Sequence, residues 1–240
     1  MKNTIFLLLI MLSGIASGQS PAPRVLVITG GHDYNISAFN GMFDSLPGKI
    51  THRVAELPGA FDLFKKEHRD EYDVVVFYHM WQDITAEQAA DLSACIKEGK
   101  PLVVLHHSIC AFDDWDEYVN ITGGRYFHRK DTIDGHIYGE SSYQHDVPVH
   151  LVVKDKNHPV TRGIPDFTMV DETYDNFYVQ PGIITLITTD TPGSTGIIGW
   201  TKQYGKARVV TLQSGHNEIA FRNANFRRLL WQAIQFTIYD

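Results

Sequence analysis

Cysteine, long apolar runs and clustered basic charge are all scarce in this chain, and each shortage removes a class of protein. With only two cysteines, Cys95 and Cys110, in 240 residues, no disulfide framework can stand in for a hydrophobic core. Cys95 falls in a helix-like segment, so the two are expected as buried thiols. No stretch reaches the roughly 20 apolar residues that span a bilayer. Lysine and arginine number 21 against 28 acidic residues, a formal charge of -7. With no basic run either, the electrostatic footprint of a nucleic-acid binder is missing. There is no internal repeat, low-complexity tract or interdomain linker, and one sizeable core is expected.

The amino-terminal stretch is read apart from the fold. Lys2 precedes the apolar run Ile5 to Leu12, and Ala16 and Gly18 flank Ser17 as small residues do at a signal-peptidase site. Residues 1–18 are expected to be a signal peptide and residues 19–240 the mature domain, exported to a periplasm or secreted. No cysteine stands at the junction to take a lipid, so no stable membrane anchor is expected after cleavage. Retention of the run as an anchor is the alternative.

What the chain does have is histidine, 12 in all, placed with a pattern. Val25 to Thr29 leads into Gly30-Gly31-His32, Val74 to Tyr78 into His79, Leu102 to Leu105 into His106-His107, and Val209 to Leu212 into Gly215-His216. If these runs are neighbouring parallel strands, their carboxyl ends converge where open α/β sheets bind ligands.

The rest of the first half fits that arrangement. Ile36, Phe39, Met42, Phe43 and Leu46 recur at helical spacing. A short strand over Thr51–Leu57 and a short helix over Phe61–His68 follow. Val74 to Tyr78 is too continuously apolar for a one-sided sheet. Thr85-Ala86-Glu87-Gln88 is a capping box opening a helix that stops at Gly99. This β-α-β-α order implies parallel strands with right-handed crossovers. Residues 133–201 change character: alternating segments such as Val147–Val153 and Ile184–Thr188 predict an antiparallel extension with long loops. Ile197–Trp200 and Ala207–Leu212 predict a hairpin through Gln203-Tyr204-Gly205-Lys206. Phe226, Leu229, Leu230, Ala233 and Ile234 form the apolar stripe of a final helix, with Arg227, Arg228 and Gln232 toward water.

Taken in order, Gly30-Gly31-His32, Leu105-His106-His107-Ser108, Gly123-Gly124-Arg125-Tyr126-Phe127-His128, His158-Pro159-Val160-Thr161-Arg162-Gly163, Asp171-Glu172-Thr173-Tyr174 and Ser214-Gly215-His216 resemble the ThuA-like (trehalose-utilisation) family. The resemblance covers about Arg24 to Tyr239. It implies a class I glutamine amidotransferase-like, flavodoxin-like fold: a mostly parallel sheet flanked by helices, with an antiparallel extension in the second half. It also implies a role in sugar catabolism, often of oxidised (keto) sugars. The chain departs from the amidotransferases, which place a cysteine on a glycine-flanked turn after a central strand. Here that place holds His106-His107-Ser108 without a glycine, so no cysteine nucleophile is carried over.

Imidazole titrates nearest neutrality and suits enolisation or elimination beside a carbonyl. His32, His107, His128, Glu172 and His216 are therefore the candidate catalytic residues, with His107 or His32 as base and Glu172 orienting or charging a histidine. Asp33, His79, Trp81, Arg125, Asp171 and Tyr174 are the candidate substrate-binding residues. His79 also reads as a packing residue or pocket wall, and His216 as a helix cap. His136, His145 and His150 receive no role. The same side chains suit a divalent metal, zinc or manganese, though no compact ligand motif is present. His106 and His107 are adjacent, so on a strand only one of them could join a given site. The expected partner is a small-molecule sugar or keto-sugar. The alternative is a non-catalytic carbohydrate-binding module using Trp81, Trp115, Tyr126, Tyr174 and Tyr178 as stacking platforms. Retained glutamine hydrolysis ranks third. Oligomeric state cannot be read from one sequence.

Overall fold

The computed structural model describes residues 21–239, so the expected signal peptide lies outside the described residues. In chain order the strands begin with β1 (Arg24–Gly30), β2 (Thr51–Glu56), β3 (Val74–His79), β4 (Leu102–Leu105), β5 (Gly124–Arg125), β6 (Asp131–Ile133) and β7 (His136–Tyr138). They continue with β8 (Ser142–Val153), β9 (Phe167–Asp175), β10 (Tyr178–Val179), β11 (Ile184–Thr188), β12 (Ile197–Tyr204) and β13 (Ala207–Leu212). The helices are α1 (Ile36–Asp44), α2 (Ala86–Lys97), α3 (Glu117–Thr122), α4 (Glu218–Arg222) and α5 (Ala224–Tyr239).

Nine strands make one mixed sheet in the order β2-β1-β3-β4-β13-β12-β11-β8-β9. The pairings from β2 through β1, β3 and β4 to β13 are parallel, and those from β13 outward to β9 are antiparallel. The expected α/β architecture and its antiparallel extension are both present. The four histidine-terminated runs are consecutive neighbours in the sheet, in the order β1, β3, β4, β13.

The central strands are apolar throughout because both faces are covered. Val25, Val27, Val74, Val76 and Tyr78 pack on one side with α1, α4 and α5, while Leu26, Ile28, Val75 and Phe77 pack on the other with α2 and α3. The stripe Phe226, Leu229, Leu230, Ala233 and Ile234 of α5 is fully buried. The α2 capping box forms as expected between Thr85 and Gln88. Both cysteines are free and buried.

Two local expectations are corrected. The segment expected as a short α-helix over Phe61–His68 is a pair of 3-10 turns, Gly59–Phe64 and Lys66–Glu71, separated by Lys65 in an extended conformation. The i,i+3 spacing of Phe61 and Phe64 puts both on the core side of a three-residue turn. The chain after β4 also stops alternating: His106–Cys110 is a 3-10 turn, with His106 in the left-handed region at φ 49°.

Glycine at position 31 is a geometric requirement. Its φ is +82°, and a Cβ there would lie 1.7 Å from the Met80 carbonyl oxygen, whereas a Cβ on Gly59 meets nothing within 4 Å. Gly31→Ala is expected to lower stability by about 2 kcal/mol or more through backbone strain and displacement. Gly59→Ala is expected to be neutral or stabilising by up to about 1 kcal/mol. Paired urea titrations check the contrast, and equal midpoints would contradict it.

Candidate functional site

Two parts of the chain meet at the carboxyl edge of the parallel sheet. One is the set of strand ends. Because His106 turns into the left-handed region directly after β4, His106 and His107 both enter the same cluster, with ring centroids 3.9 Å apart. The expectation that only one could take part assumed strand alternation, and the turn removes it. A non-glycine residue in this conformation is strained, a state that persists only where its surroundings hold it. Here the His106 Nδ1 lies 2.7 Å from the Gln213 carbonyl oxygen. A carbonyl only accepts, so Nδ1 carries the proton and the Nε2 lone pair faces the cluster.

The other part is the β8–β9 ribbon. Only Val152 and Val153 of β8 pair with β11, while residues 142–144 and 147–151 pair with β9. Glu172 and Tyr174 alternate onto one face of β9 and are buried. Opposite them the register shifts between Gln144 and Val147, and this bulge brings His145 Nδ1 to 2.6 Å from Glu172 Oε2. Asp171 faces the other way. Its carboxylate accepts the backbone N–H groups of Gly215, at 3.0 Å, and His216, at 2.9 Å, fixing the loop that presents the His216 ring.

The resulting group is compact. His216 Nδ1 is 3.2 Å from His106 Nε2 and 3.2 Å from Glu172 Oε2, and His107 Nε2 is 3.9 Å from Glu172 Oε1. One ligating atom from each of His106, His107, Glu172 and His216 lies within 4.8 Å of every other. Two ligands at about 2.0 Å from a tetrahedral ion stand roughly 3.3 Å apart, so the spacing suits a divalent metal. Glu172 Oε2 and His107 Nδ1 are buried without a hydrogen-bond partner of good geometry, despite the near contacts. Such orphaned polar atoms are expensive unless something else satisfies them.

Burial sets the protonation states. It holds His106 and His107 well below the usual histidine value, with the neighbouring imidazoles adding to the effect, and it lowers His216 as well. Neutral rings with available lone pairs are what a base or a metal ligand needs. Burial raises Glu172 to about 7, opposed by a hydrogen bond from Tyr174 and reinforced by Asp171. It raises Asp171 to about 6 against the N–H groups of His216 and Gly215. Burial also pushes the Cys110 thiol well up, so it is no thiolate nucleophile.

A cavity of about 180 Å³ opens onto this group, its walls including His107, His128, His145, Glu172 and Tyr174. Trp81 and Tyr143 stand at its mouth, 61% and 56% exposed. A cavity of about 150 Å³ holds a benzene ring, so this one accommodates a single six-membered ring.

The remaining candidates fall elsewhere. His32 stacks against His107 at 4.6 Å, but its two nitrogens face the carbonyl oxygens of Asp33 and Tyr78 at 3.2 and 3.1 Å. A carbonyl only accepts, so the neutral ring donates to one of the two, and both nitrogens are directed at the backbone. Asp33 is exposed and off the cavity wall. Arg125 pairs with Asp116 and Asp131, at 3.1 and 3.2 Å, and the carboxylate of Asp171 is spent on the backbone. His79 is fully buried among Phe77, Phe112 and Tyr118, with both ring nitrogens unpartnered. It is a core residue, outside the cavity.

Sequence reasoning did not assign His106, His145 or Tyr143 to the site. The Tyr143/His145 alternation was the available signal, but it gains meaning only once β8 is paired with β9.

The fold and edge cluster define an α/β protein whose turn after β4 carries two adjacent histidines. The trehalose-utilisation (ThuA) family matches residues 24–237, and the chain belongs to it. A ThuA-like protein from Parabacteroides merdae superposes with a TM-score of 0.72 at 21% identity, covering 91% of each chain. One from Bacteroides uniformis gives 0.69 at 17% identity, covering 93% of this chain and 95% of its own. A cytoplasmic protein from Salmonella typhimurium gives 0.60 at 10% identity, covering 89% and 98%. At these identities the likeness is one of fold. No curated protein sequence matches the chain.

His79 yields a prediction separate from the cluster chemistry. Burial lowers its pKa to about 3, whereas in the unfolded chain it titrates near 6.5. Between those values the unfolded state binds one more proton, so stability falls as pH drops below about 6.5, by up to ~1.4 kcal/mol per pH unit. His79→Leu is expected to remove one proton's worth of that slope in urea titrations between pH 4.5 and 7.5, taken about half a unit apart. An unchanged slope would contradict it.

Proposed function

We propose that this protein is an exported enzyme of carbohydrate metabolism that acts on a keto-sugar or keto-glycoside by histidine acid/base chemistry. The observation that carries the reading is a cavity sized for one ring whose wall holds the buried His107 imidazole and the Glu172 carboxyl, with the buried His106 imidazole packed against His107.

A 3-keto-glycoside has an acidified proton on C2 and its leaving group on C1. In the proposed reaction the His107 imidazole takes the C2 proton, and the bonding pair moves toward the ketone as an enolate. The pair then returns to form the C1–C2 double bond, and the C1–O bond breaks. The departing oxygen takes a proton from His128, giving an unsaturated ketone and an alcohol. Addition of water across that double bond completes a net hydrolysis. Tyr174 and Tyr126 line the ring cavity and position the substrate by ring contact.

His106, His216 and Glu172, three of the four residues whose ligating atoms lie within 4.8 Å of one another, would hold a zinc or manganese ion, which matches the three-ligand pattern of catalytic sites. Such an ion supplies Lewis-acid polarisation of a carbonyl oxygen. The orphaned Glu172 Oε2 and the outward hydrogen bond from His106 to Gln213 support this assignment.

The test is proton NMR of a 3-keto-glucoside in heavy water with the metal content measured on the same sample. Loss of the C2 proton signal or release of the alcohol is expected, falling by about 100-fold or more in His107→Ala. Glu172→Gln and His216→Ala are expected to lower bound metal about 10- to 100-fold. A static spectrum from folded, metal-replete protein would sink the chemistry. A carbohydrate-binding role, favoured by exposed Trp81 and Tyr143 at the mouth, would then show saturable binding without product. Export is tested by amino-terminal sequencing of the protein recovered outside the cytoplasm, where a start at Gln19 is expected and a start at Met1 or Lys2 would refute it.

A further inference from the structure

A second, wider cleft of about 710 Å³ lies beside the ring cavity and shares Trp81, Cys110 and His128 with it. Its floor is Phe112 and Trp115, and its far side is the start of α2. The proposed chemistry needs only the small cavity, so the wide cleft is unassigned. We infer that this cleft binds the second, leaving sugar of an uncharged disaccharide, a reading that rests on the function proposed above. The bond between the two rings would then lie at the Trp81–His128 pair.

Three observations support the assignment. First, continuity: the Trp81 indole and the His128 ring meet edge to face at 5.5 Å, with Trp81 Nε1 3.0 Å from His128 Nε2. This pair borders both cavities, so a ligand too long for the inner one extends past it into the outer one. Second, the cleft offers aromatic faces of the kind that carry sugar rings: Trp81 is 61% exposed, and Trp115 is braced by stacking on Tyr118 at 5.9 Å. Third, its charge is one-sided. Asp83, Asp113 and Asp114 line it, and no lysine or arginine does. Arg129 pairs with Asp114 from the rim and stands 4.0 Å from Asp113, leaving Asp83 unanswered. Carboxylates accept hydroxyl hydrogen bonds and repel anions, so a neutral sugar fits and a sugar phosphate does not.

The test compares initial rates and calorimetric binding for a 3-keto-glucosyl disaccharide, its 6-phosphate on the second ring, and methyl 3-keto-glucoside. The disaccharide is expected to show a KM about ten-fold or more below that of the methyl glycoside, with kcat similar, which corresponds to roughly 1.4 kcal/mol of added contact. Its phosphate is expected to bind more weakly than the disaccharide itself. Trp115→Ala should raise the disaccharide KM to that of the methyl glycoside and leave the latter unchanged. Asp83→Lys, on an exposed position, should improve binding of the phosphate and keeps the test decisive if Trp115→Ala misfolds. Equal KM values for the two neutral sugars, or equal losses in Trp115→Ala, would overturn the leaving-sugar subsite while the proposed function stands. Preferential binding of the disaccharide without turnover would keep the subsite and remove the chemistry. Neither binding nor turnover of any of the three would overturn both.

Discussion

The clasp between Asp171 and the backbone of Gly215 and His216 is the interaction on which the rest of the site depends. It joins the antiparallel ribbon to the loop that leaves the last parallel strand. Without it, Glu172 and His216 would belong to separate parts of the fold. Hydrogen bonds from N–H groups to a carboxylate are among the stronger ones a protein makes, yet burial still raises Asp171 to about 6. The desolvation cost exceeds what the hydrogen bonds to the carboxylate return. The carboxylate is therefore held at a cost in stability, and its return is position.

The same reasoning governs the imidazoles. In water each would titrate close to neutral pH, and crowding them together would be repulsive once they were charged. Burial keeps His106 and His107 uncharged and so removes the repulsion. This allows one cluster to hold many nitrogens around a single carboxyl group. Such a site is poised to receive a cation or a proton, and the ring cavity is the route by which a substrate meets it.

Much of the fold could be read from the chain because its signals are local. Continuous apolar runs marked β1, β3 and β4, a capping box marked α2, and one apolar stripe marked α5. The convergence of four strand ends followed from parallel topology alone. The site was less legible, because its decisive features are not periodic. The left-handed turn at His106 has no glycine to announce it, and it reversed the inference drawn from strand alternation at His106 and His107. His145 enters through a bulge that exists only where β8 meets β9. His79, which ends its strand as His32 and His107 do, points into the core, and its sequence position is indistinguishable from theirs. Arg125 stood beside a glycine pair in a recognisable block, yet its guanidinium is taken by two carboxylates.

The strand order also has a consequence for how the chain must be made. β13, which ends at Leu212, lies between β4 and β12. It is the last strand in the sequence and the centre strand of the sheet. Until it emerges, β4 presents an open apolar edge, and the antiparallel half has nothing to attach to; such edges invite wrong pairing. The molecule therefore cannot close progressively from its amino terminus. A nascent chain interrupted before Leu212 would hold two unconnected half-sheets, and its vulnerability to aggregation or proteolysis would persist through most of synthesis.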